Sequence, residues 1–342
     1  MHVHAIDHVE FYVGDADAVS ARLRAEYGFR LHGHLREHPG ARSVLLSQGD
    51  IRLVVTSALD DSHPAAGYVV EHGDGLATIA LSTDDPAAAL AEAVTRGAVV
   101  TDGRVGGFGD VGHVFVRPGE LFAGADVSEA GKDTAEDTLS LLDAIDHVAA
   151  VVGGGELDPT VDYYENVLGF KQIFEERIEI GGQAMNSKVV QSISKEVTLT
   201  LFEPDTDAEP GQIDDFLAAH HGSGVQHLAF RTDDIATAVR TLSDRGVTFL
   251  TTPAGYYDAL AERVDHVAVP IPTLRELNVL VDQDNEGELF QIFTQTTHPR
   301  RTIFFELIER LGALTFGSAN IKALYQAVER ERTRAKAEEP AQ

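Results

Sequence analysis

Three polar side chains in the second half of the chain stand inside runs that are otherwise apolar. His147 follows Asp146 near the head of the run 145–152, His227 follows Gln226 within 225–230, and Glu306 stands in Phe304, Phe305, Glu306, Leu307, Ile308. A carboxylate between Phe305 and Leu307 is costly to bury unless it is paired or ligates a cation. The spacing is nearly equal, 80 residues from His147 to His227 and 79 from His227 to Glu306. That suggests equivalent strands of successive modules converging on one centre. Two imidazoles and one carboxylate on one face bind a metal and leave other positions open, the donor set of non-haem iron(II) oxygenases. The absence of cysteine removes thiolate-held metals, thiol nucleophiles and disulfides, so any metal here is held by nitrogen and oxygen.

The elements that must position these residues repeat along the chain. Ala5, Ile6, Asp7, His8, Val9 recurs as Ala144, Ile145, Asp146, His147, Val148, and Tyr27, Gly28, Phe29 is answered by Leu168, Gly169, Phe170, at offsets of 139 and 141. Thr83, Asp84, Asp85 and Arg96, Gly97 return 149 residues later as Thr232, Asp233, Asp234 and Arg245, Gly246. A drifting offset with preserved order means duplication with insertions. Each copy predicts an apolar strand, then a helix. In the second copy Asp158 is expected to cap, Pro159 suits the first turn, Val161, Tyr164 and Leu168 share a face, and Gly169 stops the helix. A later helix carries Ile235, Val239 and Leu242 on one stripe and ends at Gly246. Gly153, Gly154, Gly155 lacks the spacing of a phosphate loop and is read as a turn. The order strand, helix, several strands, repeated about four times, predicts an α+β fold. The first copy serves as a control: His8 matches His147, but Thr78 falls where His227 should, and nothing like Phe304, Phe305, Glu306 follows 114–116. One ligand of three cannot hold a metal, so the first half is read as a structural copy without the site.

At 342 residues the chain is expected to form two domains, 1–125 and 143–342, joined by a polar, non-periodic linker, 126–142. A C-terminal helix with Ile321, Leu324, Tyr325 and Val328 on one stripe closes the second domain. With 27 Lys+Arg against 55 Asp+Glu, the net charge of −28 repels nucleic acid and anionic lipid, so neither is an expected partner. No apolar run approaches the ~20 residues of a membrane span, and Met1, His2, Val3, His4 does not open a secretory signal. The chain is expected to be cytoplasmic, and a homodimer is the expectation from the frequency of such assemblies. The other histidines, His72, His113 and His220 among them, fall in polar or loop-like contexts and carry no expected site role.

Several long motifs carry a resemblance: Gly224, Val225, Gln226, His227, Leu228, Ala229; Leu289, Phe290, Gln291, Ile292, Phe293, Thr294; Phe304, Phe305, Glu306, Leu307, Ile308, Glu309, Arg310; and Phe316, Gly317 with Asn320. Over essentially the whole second half, and more weakly the first, the chain resembles the 4-hydroxyphenylpyruvate dioxygenase family. The resemblance implies two domains of paired βαβββ modules of the vicinal oxygen chelate type, with the C-terminal helix. It implies one iron(II), held by His147, His227 and Glu306, and a substrate, 4-hydroxyphenylpyruvate, that brings its own 2-oxo acid and reacts with O2. It places Ser187, Thr200, Gln212 and Gln291 as polar pocket residues, Phe293, Phe305 and Phe316 as the apolar wall, and Asn320 on the closing helix. No catalytic residue beyond the metal centre is implied.

Within the family the oxidised 2-oxo acid either receives oxygen on the ring, giving homogentisate, or on the benzylic carbon, giving 4-hydroxymandelate. Two positions depart from the ring-attacking pattern: Phe202, in Phe202, Glu203, Pro204, stands where an Asn is usual, and Ile321, after Asn320, stands where a Phe is usual. Both departures resemble the benzylic branch, with homogentisate as the alternative. As residues alone, Phe202 also reads as a core strand residue and Ile321 as the first member of the apolar stripe. A non-catalytic binding module is the competing reading from another class; it has no need of a buried Glu306.

Overall fold

A computed structural model describes residues 1–35, 40–101, 103–127, 140–264 and 267–317, with Asn320 and Lys322. The first half runs β1 (Ile6–Tyr12), α1 (Ala16–Tyr27), β2 (Arg30–His34), β3 (Ala41–Gln48), β4 (Ile51–Ala58), α2 (Pro64–His72), β5 (Gly75–Ser82), α3 (Pro86–Thr95), β6 (Val100–Thr101), β7 (Arg104–Phe108), β8 (Val111–Val116) and α4 (Glu120–Ala123). The second half runs β9 (Ile145–Val151), α5 (Leu157–Tyr163), β10 (Lys171–Ile180), β11 (Gln183–Gln191), β12 (Thr198–Pro204), α6 (Gln212–His220), β13 (Gly224–Arg231), α7 (Ile235–Asp244), α8 (Ala254–Arg263), α9 (Ile271–Leu277), β14 (Leu280–Gln283), β15 (Glu288–Phe293) and β16 (Phe304–Leu311).

These strands form two eight-stranded mixed sheets with the same order, β2-β3-β4-β1-β5-β8-β7-β6 and β10-β11-β12-β9-β13-β16-β15-β14. Each sheet is a pair of βαβββ modules whose first strands lie antiparallel at its centre, and the fold is α+β. Alternation decides which face each side chain takes. Val148, Ala150, Leu199, Leu201, Leu228, Phe230, Ile292 and Leu307 join Val9, Phe11, Leu53 and Ile79 in one core shared by both halves. The opposite faces of the two sheets carry smaller apolar clusters and the polar residues.

Local sequence accounts for most helix ends. Asp234 caps α7 by accepting from Thr237 N–H at 2.9 Å, and Ile235, Val239 and Leu242 are its buried stripe. The expected cap at Asp158 is absent. Asp158 lies inside the first turn of α5, its carboxylate takes Lys188 Nζ at 2.6 Å, and Glu156 occupies the cap position. Beyond Tyr163 the helix widens into a π-turn, Tyr164–Leu168, before Gly169 stops it in the left-handed region at φ 73°. Of the expected linker, 128–139 lies outside the described residues. Its end is packed: Leu141 and Leu142 are buried, and both donate backbone N–H to Gln48 Oε1 at 2.9 and 3.0 Å. Of the C-terminal stripe, Ile321, Leu324, Tyr325 and Val328 lie outside the described residues. No helix among the described residues is long and apolar enough to cross a membrane.

Candidate metal centre

The three candidate ligands come from three neighbouring strands, β9, β13 and β16. Pairing sets Ala229 opposite both His147 and Glu306, and His227 opposite Ala149 and Phe304. Residues directly opposite share a face, so His147, His227 and Glu306 project from the same side. A bulge makes this possible. Val225 pairs with Ala150 and His227 with Ala149, so Gln226 is an extra residue in β13, and without it His227 would turn to the shared core.

His147 Nε2 lies 3.2 Å and His227 Nε2 3.3 Å from Glu306 Oε2, with the three side chains no more than 7% exposed. One ligand atom from each falls within 4.8 Å of the others, a separation at which one ion can touch all three. The donors also fit a cation by their protonation. Behind the site His147 Nδ1 meets Asp146 Oδ1 at 2.9 Å, and a carboxylate can only accept, so Nδ1 carries the hydrogen. The Nε2 of neutral His147 therefore turns a lone pair toward the Glu306 carboxylate, two acceptors facing each other, which only a proton or a metal ion between them relieves. Burial works against charge on His147, yet Glu306 in front and Asp146 behind raise its imidazolium to about 9. Burial pushes His227 down, so the second imidazole stays neutral. Burial would raise Glu306, but the charge and hydrogen bonds of the imidazoles hold it below the ordinary carboxylate range.

Asp146 is itself gripped by Arg310, with Nε 2.7 Å from Oδ2 and Nη2 2.9 Å from Oδ1. Burial would raise its carboxyl, but the bonds from His147 and Arg310 hold it far below the usual range. Neither residue was expected at the site. The signal available was adjacency, Asp146 beside a ligand and Arg310 two turns of strand alternation beyond Glu306.

Ser187, Thr200 and Phe202 lie on the metal face, since Ser187 pairs with Phe202, and Thr200 with Ala149. All three are buried, Ser187 included, so its hydroxyl faces the interior and not solvent. Thr200 Oγ1 is buried without a hydrogen-bond partner. Phe202 packs with Met185, Ile213 and Phe216 at one end of this face. At the other end Gln291 Oε1 accepts from Asn320 Nδ2 at 3.2 Å, while Asn320 Oδ1 accepts from the Tyr256 hydroxyl at 2.8 Å. Tyr256 is thus tied to Gln291 through Asn320. Phe293 lies edge-on to His227, with centroids 5.9 Å apart, and Phe316 edge-on to His147 at 6.0 Å. Gln212 opens α6, half-buried.

One expected wall residue lies elsewhere. Phe305 points away from Glu306 and packs on Tyr27 and Phe230, each at 5.1 Å, lining a cleft between the halves with Phe11 and His298. Its neighbour Phe304 is the one on the triad's face, stacked on His227 at 4.9 Å and 22°. Counting back two residues from Glu306 finds it. Ile321 lies outside the described residues. In the first sheet the positions of His147, His227 and Glu306 are held by His8, Thr78 and Val114, so the register there supplies one ligand of three.

Two family models, each described as the Glyoxalase/Bleomycin resistance protein/Dioxygenase superfamily, match residues 7–115 and 144–292, one for each sheet. A 4-hydroxyphenylpyruvate dioxygenase of Dictyostelium discoideum is 32% identical, over 95% of this chain and 97% of its own. The chain belongs to the 4-hydroxyphenylpyruvate dioxygenase family. A probable 4-hydroxyphenylpyruvate dioxygenase of Aspergillus fumigatus is 31% identical over 96% of this chain and 93% of its own. Among solved structures, a mutant of 4-hydroxymandelate synthase from Streptomyces coelicolor is 42% identical, with a TM-score of 0.85 over 96% of this chain and 99% of that one. As a member of this family the chain is an enzyme, built of two vicinal oxygen chelate domains.

Proposed function

We infer that the chain is an iron(II)-dependent oxygenase that takes 4-hydroxyphenylpyruvate and O2 to 4-hydroxymandelate and CO2. The observation that carries this reading is the buried two-histidine, one-carboxylate face in a chain 42% identical along its length to a 4-hydroxymandelate synthase and 32% identical to a dioxygenase. Iron(II) on His147, His227 and Glu306 would supply oxidative decarboxylation of the 2-oxo acid, one oxygen atom of O2 entering the new carboxylate and the other the benzylic carbon.

The residues around the triad decide how the substrate lies. The unpartnered Thr200 hydroxyl and the nearby Ser187 offer hydrogen bonds to a polar end of the substrate. Gln291, its amide aimed by Asn320 and through it by Tyr256, offers a second polar contact across the face. Phe293, Phe304 and Phe316 cover the imidazoles and exclude water from the reacting carbon. Phe202 presents an aromatic face where an amide would hold a polar group, which supports a ring position that leaves the benzylic carbon exposed to oxidation.

The dioxygenase names of the 32% and 31% identical relatives favour a second reading, ring attack giving homogentisate. The test is product identification after incubating iron(II)-loaded protein with 4-hydroxyphenylpyruvate and O2. The two products are isomers, so chromatography against both standards is needed. 4-Hydroxymandelate is expected; homogentisate would move the chain to the ring-attacking branch, and no turnover with iron bound would remove this substrate.

A further inference from the structure

The guanidinium of Arg310 reaches in two directions at once. One edge forks onto Asp146, which holds the Nδ1–H of His147 at 2.9 Å. The other donates through Nη1 to the backbone carbonyls of Thr315 at 2.7 Å and Ala313 at 3.3 Å, and the group stands 5.3 Å from the ring centre of Phe316. Phe316 is the ring that lies edge-on to His147. A closed circuit results: metal ligand, Asp146, Arg310, the 313–316 turn, Phe316, and back to the metal ligand. Asp284 holds the same turn from outside, accepting from Leu314 N–H at 2.7 Å and Thr315 N–H at 3.0 Å, without touching Asp146.

We propose that Arg310 is a positioning residue with two arms, one aiming the metal ligand His147 through Asp146, the other holding the turn that lays Phe316 over that ligand. The inference rests on the metal-centre reading above. Asp146 alone cannot do the first task, because stripped of its cation it is a buried charge that would seek another partner and release the ring. Lysine cannot do both tasks: a single ammonium can neutralise Asp146 but has no fork to span the carboxylate and a carbonyl on the far side.

The test is Co(II) titration of the metal-free protein, followed by its visible absorption, with steady-state kinetics on the iron(II)-loaded enzyme and thermal melting to verify folding. R310M and D146N are each expected to lower Co(II) affinity about tenfold to a hundredfold. The double variant should be no weaker than the weaker single, because both act along one path. R310K, which keeps the charge should R310M fail to fold, is expected to hold Co(II) within a few-fold of wild type while KM for 4-hydroxyphenylpyruvate rises several-fold. D284A, which loosens the same turn from outside, should raise KM and leave Co(II) affinity unchanged. Wild-type Co(II) affinity in R310M, additive losses in the double variant, or an unchanged KM in R310K would each overturn the inference while the metal centre stands. Failure of the wild-type protein to bind Co(II) would overturn the metal-centre reading and this inference with it.

Discussion

The hydrogen on His147 Nδ1 decides what the centre can hold. Because Asp146 accepts it, the Nε2 of the neutral ring offers a lone pair toward Glu306, and the two facing acceptors need a proton or a metal ion between them. Replacing His147, His227 or Glu306 by alanine should therefore abolish both iron retention and turnover. Metal analysis of the purified variants checks this, and full activity in any one would strike that residue from the triad. Thr200 poses the opposite case, a buried hydroxyl that no protein group satisfies. Leaving such a group orphaned costs about 1–3 kcal/mol. Thr200→Val should hold or raise the melting temperature while KM for the arylpyruvate increases several-fold. A clear loss of stability would mean that the hydroxyl serves the fold instead. At this scale the sequence was informative where a polar residue broke an apolar strand. Motif position misleads at Phe305, because strand alternation turns it to the shared core and sets Phe304 on the triad's face.

Elements place these residues through features a single sequence only partly reveals. The helical stripe of α7 and its Asp234 cap were legible because their partners lie within a turn. The Asp158 cap is not realised because α5 begins one residue earlier, at Leu157, which leaves Asp158 inside the first turn with its carboxylate on Lys188, 30 residues away. The bulge at Gln226 carries no composition signal, yet it turns His227 toward the metal face. The turn after β16 shows a constraint that the sequence marks only as a glycine. Gly317 has φ +67°, and a Cβ there would lie 2.3 Å from Gln291 Oε1. Gly317→Ala adds left-handed strain of roughly 1–2 kcal/mol to a collision that must push Gln291 aside. The expected outcome is a modest drop in melting temperature with a disproportionate loss of substrate affinity, read as a rise in KM of tenfold or more. A variant with reduced stability and unchanged KM would show that Gln291 is free to move without consequence for the pocket.

At the scale of the whole molecule, the duplicated halves meet through matching contacts. The Arg245 guanidinium sits against Gly28 and the Arg96 guanidinium against Gly169, and these arginines and glycines are themselves repeat partners. Three histidines read from sequence as loop residues are buried where the halves join. His72 and His220 stack at 4.4 Å, and His72 Nδ1 donates to the carbonyl of His220 at 2.7 Å. His113, in the first half, sits 2.7 Å from the Tyr164 hydroxyl in the second and 3.3 Å from the Ile79 carbonyl. Long-range partnership of this kind leaves no local pattern to read. Its consequence is a pH dependence. Burial lowers the imidazolium of His113 from 6.5 to about 4, so the folded protein keeps it neutral where the unfolded chain would bind a proton. A depressed folded-state pKa contributes stability that is fully present above pH 6.5 and lost as pH falls toward 4, about 3 kcal/mol in all. His220 is lowered to about 4 for the same first reason, burial, and acts in the same direction. His147, raised to about 9, runs the other way, and its contribution fades as pH climbs from 6.5 to 9. Comparing His113→Gln with wild type cancels everything but His113. Denaturant midpoints measured at pH 7.5, 5.5 and 4.5 should show the variant's deficit to be largest at 7.5 and to shrink steadily through the lower two. A deficit that stays constant across the three would mean that His113 does not hold the halves together as a neutral ring.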